Sequence, residues 1–124
     1  MITDVEMTRA GVTGVEAHCY LSEATTAADL TRSAAAMRIA AARHPAGAVF
    51  VIGCAPTALA EVVQLVERRA LEPALVIGLP VGFVGAAAAK EATRQAGFPS
   101  ITNIGEKGGS AVASAACNAL VRLQ

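Results

Sequence analysis

Aromatic side chains are nearly missing from this 124-residue chain, which has no Trp, one Tyr and three Phe. Stacking platforms for nucleobases are therefore unavailable. An excess of charge is missing too, because ten Lys and Arg balance ten Asp and Glu. Without a basic face, neither nucleic acid nor an anionic membrane surface is an expected partner. Cys19, Cys54 and Cys117 are odd in number, far apart and without a C-x-x-C pair. That pattern gives no disulfide framework and no metal site, and it fits a reduced cytoplasm. Asp4 and Glu6 stand where a secretory signal would carry positive charge, and no apolar core segment follows them. The uncharged run 73–89 is broken by Pro80 and three glycines, so it is not a membrane span.

What the chain does have is a repeated plan. ALVIGLPVGFVGAAAAKE (Ala74 to Glu91) reads as a buried β-branched strand, a turn and a helix start in unbroken succession. Pro80 ends the strand, Gly82 and Gly85 let the backbone bend, and a helix is expected from Val84. Ala48 to Gly53 and Ser100 to Gly105 open two further units of the same kind. In a parallel sheet all three turns lie at the carboxyl ends of the strands, where open α/β sheets bind ligands. The expected fold is thus a three-layer, Rossmann-like α/β domain over residues 1–124, with a mainly parallel sheet of four or five strands.

The remaining segments fill in that plan. Met1 to Thr3 reads as the tail of a strand, Asp4 to Ala10 as a short helix ending at Gly11, and Val15 to Leu21 as another strand. Residues 26–43 are helical in propensity, with a second cap at Thr31 that splits them into two helices. The split puts Arg32 and Ser33 in a first helical turn facing the crevice. Pro56 to Arg69 is a helix with Leu59, Val62, Val63 and Val66 on one face. Ser110 to Leu123 is apolar almost all round, which implies a buried element or a subunit interface. Apolar residues make up 54% of the chain, much of it alanine, so the core is thin and a homodimer is expected.

These residues carry a resemblance. DVEMTRAG (Asp4 to Gly11), TRSAAAM (Thr31 to Met37), GCAPTAL (Gly53 to Leu59), GLPVGFVGA (Gly78 to Ala86) and KGGSAVASAACNAL (Lys107 to Leu120) span nearly the whole chain. Their order and approximate spacing are similar to those of the precorrin-8X methylmutase family, also called precorrin isomerase. The resemblance implies a cytoplasmic isomerase of cobalamin biosynthesis that moves a methyl group from C-11 to C-12 of precorrin-8X to give hydrogenobyrinate. It implies a homodimer, a corrinoid ligand and no cofactor. It also places the family's catalytic histidine in a portion ahead of the DVEM-like segment, whereas Met1 here falls directly before ITDVEM. The family usually shows Asn at the place of Cys54, Glu and Ser near Ala88 and Ala89, and Arg at the place of Glu106. The expectation is therefore a chain similar to the C-terminal part of that enzyme, binding its ligand and turning it over weakly. A non-catalytic tetrapyrrole-binding protein and a structural subunit completed by another chain are the alternatives.

Candidate ligand contacts follow from chemistry. Arg32, flanked by Thr31 and Ser33, offers a bidentate grip on one of the many carboxylates of a precorrin. The turn Gly82, Phe83, Val84, Gly85 heads a helix whose free N–H groups welcome an anion. Lys107, Gly108, Gly109 and Ser110 form a second such turn, with Ser110 placed to cap the helix. Neither turn has the glycine spacing of a dinucleotide or triphosphate loop. His18, His44 and Cys54 are expected to be structural, Cys54 as a small packing residue.

Overall fold

The computed structural model describes residues 1–26 and 29–123. Strands β1 (Ile2–Thr3), β2 (His18–Cys19), β3 (Val49–Ile52), β4 (Leu75–Gly78) and β5 (Ser100–Thr102) alternate with helices α1 (Glu6–Gly11), α2 (Arg32–Arg43), α3 (Pro56–Glu67), α4 (Ala86–Ala96) and α5 (Ser110–Arg122). Every strand pair is parallel, and the order across the sheet is β2-β1-β3-β4-β5. The expected α/β fold is therefore present, with five strands.

Central parallel strands are covered on both faces, which is why β3 and β4 read as unbroken apolar runs. Their side chains alternate between two cores. Phe50, Ile52 and Val76 meet Met37 and Ala40 of α2, Leu59 and Val62 of α3 and Ala89 of α4. Val51 and Ile77 meet Ala113 and Cys117 of α5 on the opposite face. Alanine at the helix contacts lets α2, α3 and α4 sit close over the larger core. The α5 side is thinner, and only Ala113, Ser114 and Cys117 of that helix are buried. Ala116, Leu120 and Val121 pack partly buried against this core, while Val112 of α5 and Leu123 just past its end stand 51% and 82% exposed.

Several boundaries differ from expectation, each for a local reason. The strand expected over 15–21 is reduced to His18–Cys19, because Gly14 turns the chain at φ 80 and Val15 and Glu16 lie outside the sheet. β5 stops at Thr102, where its partner β4 ends at Gly78. α4 begins at Ala86 instead of Val84, because Gly85 is its N-cap in the left-handed region at φ 89. The cap at Thr31 is present, with its Oγ1 accepting the Ala34 N–H at 3.1 Å and α2 starting at Arg32, but Thr26, Asp29 and Leu30 ahead of it are not helical. The shorter helix expected ahead of it falls partly on residues 27 and 28, outside the described residues.

α3 ends at Glu67, two residues short of expectation, because Arg69 just past its C-cap Arg68 adopts φ 61, where glycine is usual. The Ala70 N–H closes the end on the Leu65 carbonyl at 2.9 Å. Arg69→Gly should therefore relieve left-handed strain, offset in part by the greater freedom of glycine in the unfolded chain. The expected gain is about 0.5 to 1 kcal/mol, read as a higher denaturant midpoint at unchanged slope. An equal or lower midpoint would contradict the strain assigned to Arg69.

Candidate functional site

The strand order reverses direction between β1 and β3, and open α/β sheets present a crevice at such a point. Here the protein fills it with its own carboxylate. Asp4, fully buried at the end of β1, accepts the N–H of Gly53 at 3.0 Å, of Cys54 at 2.8 Å and of Ala55 at 2.7 Å. The Thr8 hydroxyl adds a bond to the same carboxylate at 3.2 Å and another to the Ser110 hydroxyl at 3.0 Å. The amides of the turn that leads into α3 are thereby satisfied. Of the three turns expected to converge, this one is closed.

The other helix heads at the same edge sort by the same test. α2 is capped by Thr31, whose hydroxyl also bonds Thr57 Oγ1 at 2.9 Å. α4 and α5 have glycine N-caps, Gly85 and Gly109, with no side-chain cap. Their first intrahelical bonds are Ala89 N–H to the Gly85 carbonyl at 2.9 Å and Ala113 N–H to the Gly109 carbonyl at 3.0 Å. The N–H groups before those bonds, on Ala86 to Ala88 and on Ser110 to Val112, remain at the helix heads. Ser110 thus lies inside α5, with its hydroxyl directed to Thr8, and does not cap the helix as expected.

β4 and β5 are neighbours, so the two open heads lie side by side. The Gly82 N–H bonds the Glu106 carbonyl, and the Gly109 N–H bonds that of Leu79, each at 3.0 Å. Around this seam Phe83, Val84 and Ile104 are 93%, 90% and 87% exposed. Apolar side chains so fully in water call for a ligand or partner. Val84 and Gly85 also border a cleft of about 360 Å³ that runs between α3 and α4 over Ala60, Ala88 and Ala92. A larger cavity of about 540 Å³, lined by Val66, Leu71 and Phe98, lies among the segments that lead into β4 and β5. It is at the amino edge of the sheet, away from the helix heads.

Lys90 holds the seam from inside. It is fully buried, and its Nζ donates to the carbonyls of Gly105 at 2.9 Å and Lys107 at 2.6 Å. Burial, and then the neighbouring Arg94, push its ammonium below the ordinary lysine range, while Glu106 opposes the shift. Arg94 bonds the Thr102 hydroxyl at 3.1 Å and the Asn103 carbonyl at 3.0 Å, and Asn103 Nδ2 reaches the Lys107 carbonyl at 3.0 Å. The β5–α5 connection is therefore fastened to α4 along its length.

Arg32 begins α2 at the same carboxyl edge, exposed. Two of its donors are already engaged: Nη2 meets the Leu21 carbonyl at 2.8 Å and Nε that of Ala24 at 3.4 Å. The guanidinium thus ties down the segment after β2 and keeps its remaining donors outward. His18 and His44 lie at the other end of the sheet, bordering a cavity with Met1 and Gly47. His44 Nε2 bonds the Tyr20 hydroxyl at 2.7 Å, and the two imidazoles stack at 5.8 Å. Cys54 is exposed, not packed as expected, since Asp4 pulls its amide inward and leaves the side chain out. Partial desolvation and the Asp4 charge raise its thiol pKa, which makes it a poor nucleophile.

Compared with known proteins, the chain matches the family model of precorrin-8X methylmutase over residues 1–123. It belongs to the precorrin-8X methylmutase family. It is 42% identical over 126 residues to the cobalt-precorrin-8 methylmutase of Methanocaldococcus jannaschii, covering 98% of this chain and 60% of that protein. With the cobalt-precorrin-8 methylmutase of Methanothermobacter thermautotrophicus it shares 45% over 128 residues, covering 99% and 61%. The structure of precorrin-8X methylmutase from Thermus thermophilus superposes with a TM-score of 0.86 at 37% identity, covering 98% of this chain and 65% of that one. The chain spans about 60% of the length of these curated relatives.

The positions at which the resemblance leads one to expect other residues lie along the carboxyl edge of the sheet. Ala88 and Ala89 line the cleft between α3 and α4, Cys54 stands at the head of α3, and Glu106 carries the carbonyl that Gly82 bonds. Asp4 and Lys90 are the two residues that sequence reasoning missed. Lys90 had a signal: Ala86, Ala89, Lys90 and Thr93 are the buried stripe of α4, spaced i, i+3, i+4 and i+7. A lysine at a core position of an alanine helix needs acceptors, and two carbonyls supply them. Among the described residues, no helix is long and apolar enough to cross a membrane.

Proposed function

We propose that the chain forms the binding half of a precorrin-8X methylmutase site and seats a corrin-type macrocycle over the seam between the β4–α4 and β5–α5 loops. The observation that carries this reading is the pairing of exposed Phe83, Val84 and Ile104 with two uncapped helix heads. A corrin ring is apolar across its faces and bears acetate and propionate carboxylates around its rim. Its faces suit Phe83 and Val84, and its carboxylates suit the amides heading α4 and α5, with Lys107 and Arg32 adding charge. Ser33, Gly82, Gly85, Gly108 and Gly109 shape the same edge.

The reaction served on this reading is the shift of a methyl group from C-11 to C-12 of precorrin-8X, giving hydrogenobyrinate. The methyl moves within one molecule without net oxidation, so no redox cofactor is called for. The chain's own residues hold the ring flat and neutralise its rim, and His18 and His44, at the far end of the sheet, take no part. Exposed Val112 on α5 and Leu123 just past it support a homodimer, and three unpaired thiols suit the cytoplasm.

Titration with hydrogenobyrinate, followed by visible absorbance, tests the site. Saturable binding is expected. Arg32→Ala should weaken it about tenfold, the worth of one charge-assisted contact, while His18→Ala and His44→Ala leave it unchanged. Absence of binding at high micromolar ligand, or its loss in either histidine variant, would overturn the proposal. Sedimentation of the same samples should give a dimer.

A further inference from the structure

In a trans peptide the C=O of one residue and the N–H of the next point in opposite directions. The Lys90 Nζ draws two alternate carbonyls of the β5–α5 loop inward, those of Gly105 and Lys107. The N–H groups of Glu106 and Gly108 are therefore turned away from the buried ammonium. Neither donates to a protein acceptor among the described residues. These two outward amides, on either side of Lys107, offer donors to an anion, and the head of α5 follows two residues on.

We propose that Lys90 is a positioning residue that never touches the ligand and that aims the Glu106 and Gly108 amides at a ligand carboxylate. The inference rests on the corrinoid reading for the identity of that carboxylate, and on the geometry of the loop for the rest. Lys90 suits the task because it is out of solvent, reaches from the rigid helix α4, and bonds carbonyls on both sides of Glu106. Arg94 on α4 and Glu106 in the loop are the charged groups that act on it. Its folded-state pKa is lowered, so between that value and the ordinary 10.5 the unfolded chain holds the extra proton. Stability should rise with pH through that window.

The test follows backbone amides by ¹H–¹⁵N NMR with the whole chain, in the parent protein, in Lys90→Met and in Thr93→Val. Thr93→Val removes a buried hydroxyl that bonds the Ala89 carbonyl one turn away in α4, without touching the loop. With hydrogenobyrinate added, the Glu106 and Gly108 amides should shift in the parent and in Thr93→Val. In Lys90→Met those shifts should vanish and affinity should fall about tenfold, the scale of one lost charge-assisted anchor. Parent-like binding by Lys90→Met, or ligand binding that leaves both amides unmoved, would overturn the proposal.

A ligand-free measurement separates this proposal from the corrinoid reading, and it also serves if Lys90→Met does not fold. As pH is raised on the parent, the Glu106 and Gly108 amides should move in step with the Lys90 Nζ titration. Amides that stay fixed while Lys90 titrates would defeat the positioning role. If they track Lys90 but hydrogenobyrinate does not bind, the corrinoid reading fails and the positioning of the loop stands.

Discussion

Asp4→Ala is expected to lower the unfolding free energy by about 3 to 5 kcal/mol, the range for breaking a buried charge-assisted network. Three backbone amides and a hydroxyl converge on this carboxylate inside the fold. Removing it leaves the Gly53, Cys54 and Ala55 amides at the head of α3 without an acceptor. Each such hydrogen bond to a charged group is worth about 1.5 to 3 kcal/mol when intact, and the values do not add fully within one network. The damage should also spread sideways, because Asp4 holds Thr8, Thr8 holds Ser110, and Ser114 bonds the Thr8 carbonyl at 2.8 Å. Thr8→Val, which spares the carboxylate and its three amides, should cost less than half as much. Chemical denaturation of both variants checks the order. A loss below about 1 kcal/mol for Asp4→Ala, the size of an exposed cap, would mean that water replaces the carboxylate readily and that the turn at β3 is open after all.

That network also shows where the sequence could be read and where it could not. The central strands and the three strand-turn-helix units are legible because β-branched runs, Pro80 and the glycine turns act locally. Thr31 is legible for the same reason, since a cap and its amide are three residues apart. Asp4 is not, because its partners lie 49 to 51 residues further on and nothing near it distinguishes it from an acidic residue in a first helical turn. Strand order is not legible either, as the repeated units require parallel pairing without saying which strand lies between which. The sequence pattern places the candidate turns at the carboxyl edge of the sheet, and which of them stay open depends on a long-range contact. Arg32 follows the same rule: its place at the head of α2 is local, and its bonds to the Leu21 and Ala24 carbonyls are set by the tertiary fold.

Gly108→Ala is expected to be the most damaging single methyl group at the seam. A Cβ there would lie within 2.6 Å of the Pro80 carbonyl oxygen and closer still to that of Leu79. Both obstacles are backbone, so no side-chain rotation relieves them. The loop cannot retreat without loss, because the Gly109 N–H bonds the Leu79 carbonyl at 3.0 Å and Lys90 fastens the carbonyls on either side of Glu106. Overpacking of this kind costs about 1 to 3 kcal/mol where neighbours can yield, and more where they cannot. A loss of about 3 kcal/mol is expected, together with loss of hydrogenobyrinate binding as the two loops separate. Gly82→Ala is the matched control. Its φ of 133 strains an L-residue, but nothing lies within 4 Å of the added carbon. Backbone strain alone costs about 1 to 3 kcal/mol, and the loops should stay together, so Gly82→Ala should keep measurable binding where Gly108→Ala loses it. Denaturant unfolding and absorbance titration of the two variants decide the point: equal binding by both would show that the close contact of the loops at Gly108 is not what shapes the site.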